Sequence, residues 1–188
     1  EKHQLKIGTI ENLIRYRVKN EKTVERIQEN MVDTVYGEFK IVAFREKMHQ
    51  QIHLAMIKGT IDPDKETLVR VHIENELCDM LSLKEEACGW PLRNIMQRMA
   101  DAEQGVIIIL RNLSRTEDLL AKLNHLEPQN EQQIDKKKET TEDVKTFGIG
   151  AQMLSELGVQ KMLVMSAPKR YHGLAGFGLE IVDYVQGS

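Results

Sequence analysis

From Met31 to Phe44 the chain reads MVDTVYGEFKIVAF, with β-branched and aromatic residues on either side of Tyr36-Gly37. That pattern predicts two strands joined by a turn, or one bent strand. QIHLAMIK, from Gln51 to Lys58, continues the sheet, and Gly59 with Pro63 marks the turn that ends it. Between Thr67 and Glu74, Val69, Val71 and Ile73 alternate with Arg70, His72 and Glu74, so one strand face is apolar and the other ionisable. By pattern alone the ionisable face reads as a solvated edge rather than the wall of a polar pocket. Leu92, Ile95, Met96 and Met99 fall at i, i+3, i+4 and i+7, which predicts an amphipathic helix over 91–103 with Pro91 in its first turn. A stripe of that kind packs into a core. VIIIL (106–110) follows Gly105 and has the wholly apolar character of a strand covered on both faces. Beyond it, IGAQMLSELG predicts a helix stopped by Gly158, KMLVM (161–165) a buried strand, and GLEIVDYV (178–185) a last strand. Strands alternating with helices in this order predict an α/β fold.

The polar stretches divide the chain. In residues 1–30, Ile10, Leu13, Ile14 and Val18 lie at helical spacing behind Thr9 as N-cap, which predicts a connecting helix and linker ahead of a domain at 31–188. From Arg111 to Thr146 the chain turns polar again, with a short helix at Leu119, Leu120 and Leu123. EPQNEQQIDKKKETTED (127–143) has one apolar residue in seventeen and reads as an exposed, mobile loop. Its three lysines are closely flanked by acidic residues and read as a solvated turn. SAPKR (166–170) leaves the carboxyl end of a predicted strand, where α/β folds bind anions, though a plain connecting turn fits equally.

Composition narrows the picture. With 26 basic and 29 acidic residues the net charge is −3, so no electrostatic pull toward nucleic acid or a membrane surface is visible. No apolar run approaches the roughly 20 residues that span a bilayer. Two cysteines, Cys78 and Cys88, make no disulfide framework and read as reduced thiols of a cytoplasmic protein. The chain opens in mid-pattern on Glu1 rather than Met, as a fragment of a longer protein would.

Several runs are more specific. VRVHIE, the later C-G-x-P-L, GVIIILR, TFGIGAQMLSELGVQK and the ending GLAGFGLEIV resemble GTP cyclohydrolase II of riboflavin biosynthesis. KHQLKIGTIENLIRYR resembles the junction in bifunctional proteins that join 3,4-dihydroxy-2-butanone 4-phosphate synthase to that cyclohydrolase. The resemblance implies a mixed sheet flanked by helices, a homodimer, and an upstream synthase domain on the same chain. It also implies zinc chemistry: three thiolates hold the metal in a pattern like R-V-H-S-E-C followed by C-D-C-G-x-Q-L, and an open coordination position acidifies a water. Laid on this chain without gaps, Arg70, His72 and Glu74 match. Asn75 stands at the first ligand position and Glu86 at the second, leaving only Cys88, and the Gln used on guanine is Pro91.

The rest of the implied site departs as well. Where the family has R-Q-E-G-R-G-I-G-L, Arg111 and Arg115 persist, but the glutamate is Leu113 and the glycines that let backbone approach phosphate are gone. Asp143 and Lys145 are remnants of a D-x-R-x-Y-G motif, and Lys145 lacks the arginine fork. Ser166, Lys169 and Arg170 remain from a T-N-N-P-x-K turn.

Asn is a poor zinc ligand, and one thiolate with one carboxylate cannot replace three thiolates. The resemblance with these losses therefore implies a catalytically inactive domain, without cofactor, serving dimerisation, stability or regulation. Three alternatives remain: an active cyclohydrolase using zinc, a metal site rebuilt from His72, Cys78, Glu86 and Cys88, and a sensor that binds GTP or another anion weakly. Arg70, Glu74, Arg111, Arg115, Ser166 and Arg170 are the candidate nucleotide-binding residues, and the resemblance makes the polar face of Arg70, His72 and Glu74 the wall of a nucleotide pocket rather than a solvated edge.

Overall fold

The computed structural model describes Tyr16 and residues 21–81, 90–111, 141–168 and 173–186, with residues 76 and 141–145 described in backbone only. Seven strands form one sheet: β1 (Val24–Thr34), β2 (Gly37–Glu46), β3 (Ile52–Lys58), β4 (Glu66–Ile73), β5 (Gly105–Leu110), β6 (Lys161–Met165) and β7 (Glu180–Val185). Their spatial order is β1-β2-β3-β5-β4-β6-β7. β1, β2, β3 and β5 pair antiparallel in succession, whereas β4 runs parallel to both β5 and β6, and β6 parallel to β7. The sheet is therefore mixed, as the fold class requires.

Helices cover both faces. After β4 come α1 (Glu76–Leu81) and α2 (Leu92–Ala100), and before β6 comes α3 (Thr141–Glu156). Ile95, Met96 and Met99 of α2 pack with Phe39, Met56, Ile107 and Met165 on one face. Ile149, Ala151, Met153 and Leu154 of α3 pack with Val42, Phe44, Ala55, Val69, Val106 and Ile108 on the other. The period-two alternation of the strands sorts these side chains: in β5, Val106, Ile108 and Leu110 face α3 and Ile107 faces α2. A strand buried on both faces needs this continuous apolar run, and β5 supplies it.

Several boundaries differ from expectation. β1 begins at Val24, inside the stretch expected to link domains, because Val24 is buried in the core while residues 25–30 are exposed on both faces. An edge strand exposed on both faces shows no alternation to read. Ahead of it, buried Gln152 of α3 accepts from the Thr23 N–H and hydroxyl at 2.9 and 2.8 Å and donates to the Glu21 carbonyl at 2.8 Å, tying this segment down. α3 begins at Thr141, within the stretch expected to be a loop through 143, because its polar first turns precede the apolar stripe. The remainder of that loop, the short helix near Leu119 and the connecting helix before residue 21 lie outside the described residues, Tyr16 excepted. None of the described helices is long and apolar enough to cross a membrane.

Two glycines separate strain from crowding. Gly59 and Gly158 adopt φ of +69° and +84°. A Cβ on Gly158 meets nothing within 4 Å, but one on Gly59 would overlap the Glu103 carbonyl oxygen. Gly158→Ala should therefore cost only the left-handed penalty, about 1–2 kcal/mol. Gly59→Ala should cost at least about 1 kcal/mol more, since backbone must move. Urea unfolding of the two variants checks the order, and equal losses would show that the Glu103 carbonyl yields freely.

Candidate functional site

The geometry of the sheet singles out one end. The connection leaving β4 packs α2 on one face, and the connection leaving β5 leads to α3 on the opposite face. Two adjacent parallel strands whose chains depart to opposite sides leave a crevice at their carboxyl ends, which is where open α/β sheets bind ligands. Glu74 and Arg111 are the first residues past β4 and β5. The Glu74 N–H donates to the Leu110 carbonyl at 2.9 Å, and Arg111 Nε donates to Glu74 Oε2 at 3.4 Å. Both side chains are partly exposed, 41% for Arg111 and 32% for Glu74. Such a pair stabilises by about 0–1 kcal/mol and can exchange partners with a ligand at small cost.

His53 on β3, which is not among the candidates the sequence singles out, steadies this end. Its ring is buried, and Nδ1 accepts from the Arg111 N–H at 3.1 Å. A polar residue inside the otherwise apolar run IHLAMI was the available signal, but a single His in an apolar strand does not say which backbone group it holds.

The ionisable face of β4 is not a solvated edge, since β4 is bonded to neighbours on both sides and α1 and α2 lie over that face. Arg70 Nη1 donates to the Met165 carbonyl at 2.6 Å, so this candidate nucleotide contact braces the end of β6. His72 is 5% exposed, with Nε2 at 2.9 and 3.0 Å from the two carboxylate oxygens of Asp79 on α1. Asp79 Oδ2 also accepts from the Asn75 N–H at 2.9 Å. Ser166 lies just past β6, its hydroxyl turned to the Ala167 carbonyl at 3.0 Å.

At the position where the resemblance puts the first zinc thiolate, Asn75 is the N-cap of α1. Its side-chain oxygen faces the Cys78 N–H at 3.4 Å and its carbonyl accepts from the Asp79 N–H at 2.8 Å. Asn is favoured at an N-cap because its short side chain reaches the unpaired N–H groups of the first turn. Cys78 is 8% exposed and disulfide-bonded, not the reduced thiol expected. That expectation rested on compartment, whereas the bond depends on the proximity of two sulfurs. His72, Asn75 and Cys78 are thus each committed elsewhere, and the described residues do not fit a zinc ion. Among them no group of three His, Cys, Asp or Glu side chains could hold a metal. Glu86, Cys88, Leu113, Arg115, Lys169 and Arg170 lie outside the described residues, as do the side chains of Asp143 and Lys145, whose backbone forms the first turns of α3.

One cavity, of about 240 Å³, lies away from these residues, between the 21–24 segment and the C-terminal part of α3. Its lining includes Gln152, Ser155 and Phe177 and none of the candidate residues.

Comparison with known proteins agrees with the fold. The model of the GTP cyclohydrolase II family matches residues 25–186. A 3,4-dihydroxy-2-butanone 4-phosphate synthase of Photobacterium phosphoreum is 40% identical, the match covering 98% of this chain and 49% of that protein. The riboflavin biosynthesis protein RibBA of Chlorobium phaeovibrioides is 35% identical, over 98% of this chain and 46% of that protein. Among solved structures, RibBX, a two-domain 3,4-dihydroxy-2-butanone 4-phosphate synthase from A. baumannii, matches with a TM-score of 0.66 and 35% identity, over 98% of this chain and 46% of that one. The chain spans about half the length of these relatives. With the family model covering nearly all of the sheet, the chain belongs to the GTP cyclohydrolase II family.

Proposed function

We propose that this chain is a GTP cyclohydrolase II-like domain that no longer carries the hydrolytic chemistry. It would act in riboflavin biosynthesis as a structural or regulatory partner of a 3,4-dihydroxy-2-butanone 4-phosphate synthase domain. The observation that carries this reading is Asn75. Opening the guanine imidazole ring requires a metal that acidifies water, and a metal needs deprotonated ligands that are free to bind it. At a thiolate position this chain has an amide that caps a helix. Supporting it, relatives at 39–40% identity bear the name of the synthase alone.

The test is formate release from GTP by the purified chain with added zinc. The reading expects none above the no-protein control. Formate released in repeated turnovers, and abolished by Cys88→Ser, would overturn it and establish an active cyclohydrolase with altered ligands.

A second reading is favoured by Glu74 and Arg111 facing each other across the β4–β5 crevice. It makes the domain a weak sensor of GTP or a related anion. Titration calorimetry should then register binding only toward millimolar GTP, and Arg111→Ala should weaken it about tenfold, the usual worth of one charge-assisted hydrogen bond. A titration without heat at millimolar GTP would remove the sensor and leave an inert scaffold.

A further inference from the structure

Residues 148–154 of α3 are all buried, so this helix is covered all round and not only where it meets the sheet. Along it Gln152, Ser155 and Glu156 fall at i, i+3 and i+4 and form one stripe. That stripe holds two segments far apart in sequence. Gln152 bonds to Glu21 and Thr23 ahead of β1, and Glu156 pairs with Lys22 Nζ at 2.9 Å. Ser155 Oγ donates at 2.9 Å to the carbonyl of Phe177, in the 3-10 turn Leu174–Phe177 ahead of β7. The cavity of about 240 Å³ is lined by both segments and this stripe. A space of that size has room for at least about eight waters at about 30 Å³ each.

We propose that this cavity binds a small zwitterion of the α-amino-acid class with an aliphatic side chain. Its lining carries one cation and one anion that already touch, Lys22 and Glu156, with side chains 61% and 35% exposed. A pair so open to water contributes little and exchanges partners at small cost. Glu156 repels a lone carboxylate and Lys22 a lone ammonium, so neither a simple anion nor a simple cation suits the site. An α-amino acid bears both charges on one carbon and satisfies the two residues together. Its carboxylate takes the Lys22 ammonium, and its ammonium donates to Glu156. Ser155 Oγ spends its proton on the Phe177 carbonyl and keeps acceptor capacity for the same ammonium. Phe177 lines the cavity and offers apolar surface to the ligand's side chain. Because Lys22 belongs to the segment that enters β1 and Glu156 to α3, a bound ligand joins the two and damps their opening.

The proposal is independent of the loss of catalysis, and its test reads binding instead of turnover. The chain is titrated by calorimetry with L-leucine, with 4-methylpentanoate, which lacks the ammonium, and with 3-methylbutylamine, which lacks the carboxylate. Leucine is expected to bind with a dissociation constant on the order of 1 mM. Each analogue should bind about tenfold more weakly, as should leucine to Lys22→Met or Glu156→Gln. Amide hydrogen exchange at residues 21–23 should slow when leucine is added. Arg111→Ala should bind leucine as the parent chain does, which separates this cavity from the crevice between β4 and β5. No heat with leucine up to about 50 mM, analogues that match leucine, or unchanged exchange at residues 21–23 would each overturn the proposal. So would folded Lys22→Met and Glu156→Gln that keep the parent affinity, or loss of leucine binding in Arg111→Ala. The analogue comparison uses the unmodified chain, so it decides the matter even if a variant does not fold.

Discussion

β4 is hydrogen-bonded to β5 on one side and to β6 on the other, parallel to both, and this placement decides most of what the molecule can do. It puts Glu74, Arg111 and Ser166 past the ends of three adjacent strands, at the edge where the connections separate to opposite faces. It also places Arg70 and His72 beneath helices instead of in solvent. Polar side chains withdrawn from water need partners, and half-buried Arg70 and buried His72 have them in the Met165 carbonyl and the Asp79 carboxylate. The partners that make the strand tolerable in the interior are the ones that take Arg70 and His72 away from a ligand.

The apolar elements were legible because their patterns were unambiguous. VIIIL and KMLVM were strands in the sequence and are strands in the fold, and the Leu92, Ile95, Met96, Met99 stripe is the buried face of α2. Polar elements were not legible. β1 exposes most of its length, and the first turns of α3 carry Thr141, Glu142, Asp143 and Lys145, so neither showed the periodicity by which strands and helices are recognised. The strand character of β1 comes from its pairing with β2, a partner that a window of sequence cannot show.

At the candidate site, residue identities were readable and their partners were not. That Asn75 cannot replace a thiolate follows from its chemistry. That it caps α1, and that Asp79 one turn later holds both Asn75 and His72, follows only from the fold. An Asn with an Asp four residues on is too common a pair to announce such a set. On the ionisable face of β4 the pattern alone pointed to a solvated edge and the resemblance to a pocket wall, since alternation cannot tell a solvated face from one whose polar groups are satisfied beneath a helix.

The central claim is that the segment following β4 is held by the hydrogen bonds of His72, Asn75 and Asp79 where the family resemblance implies a metal. The most direct measurement is an anomalous difference map at the zinc absorption edge, from crystals of the chain grown with excess zinc. The account predicts no peak within bonding distance of His72, Asn75, Cys78 or Cys88, with Asn75 still capping its helix. A strong peak coordinated by Cys78 or Cys88 would contradict it.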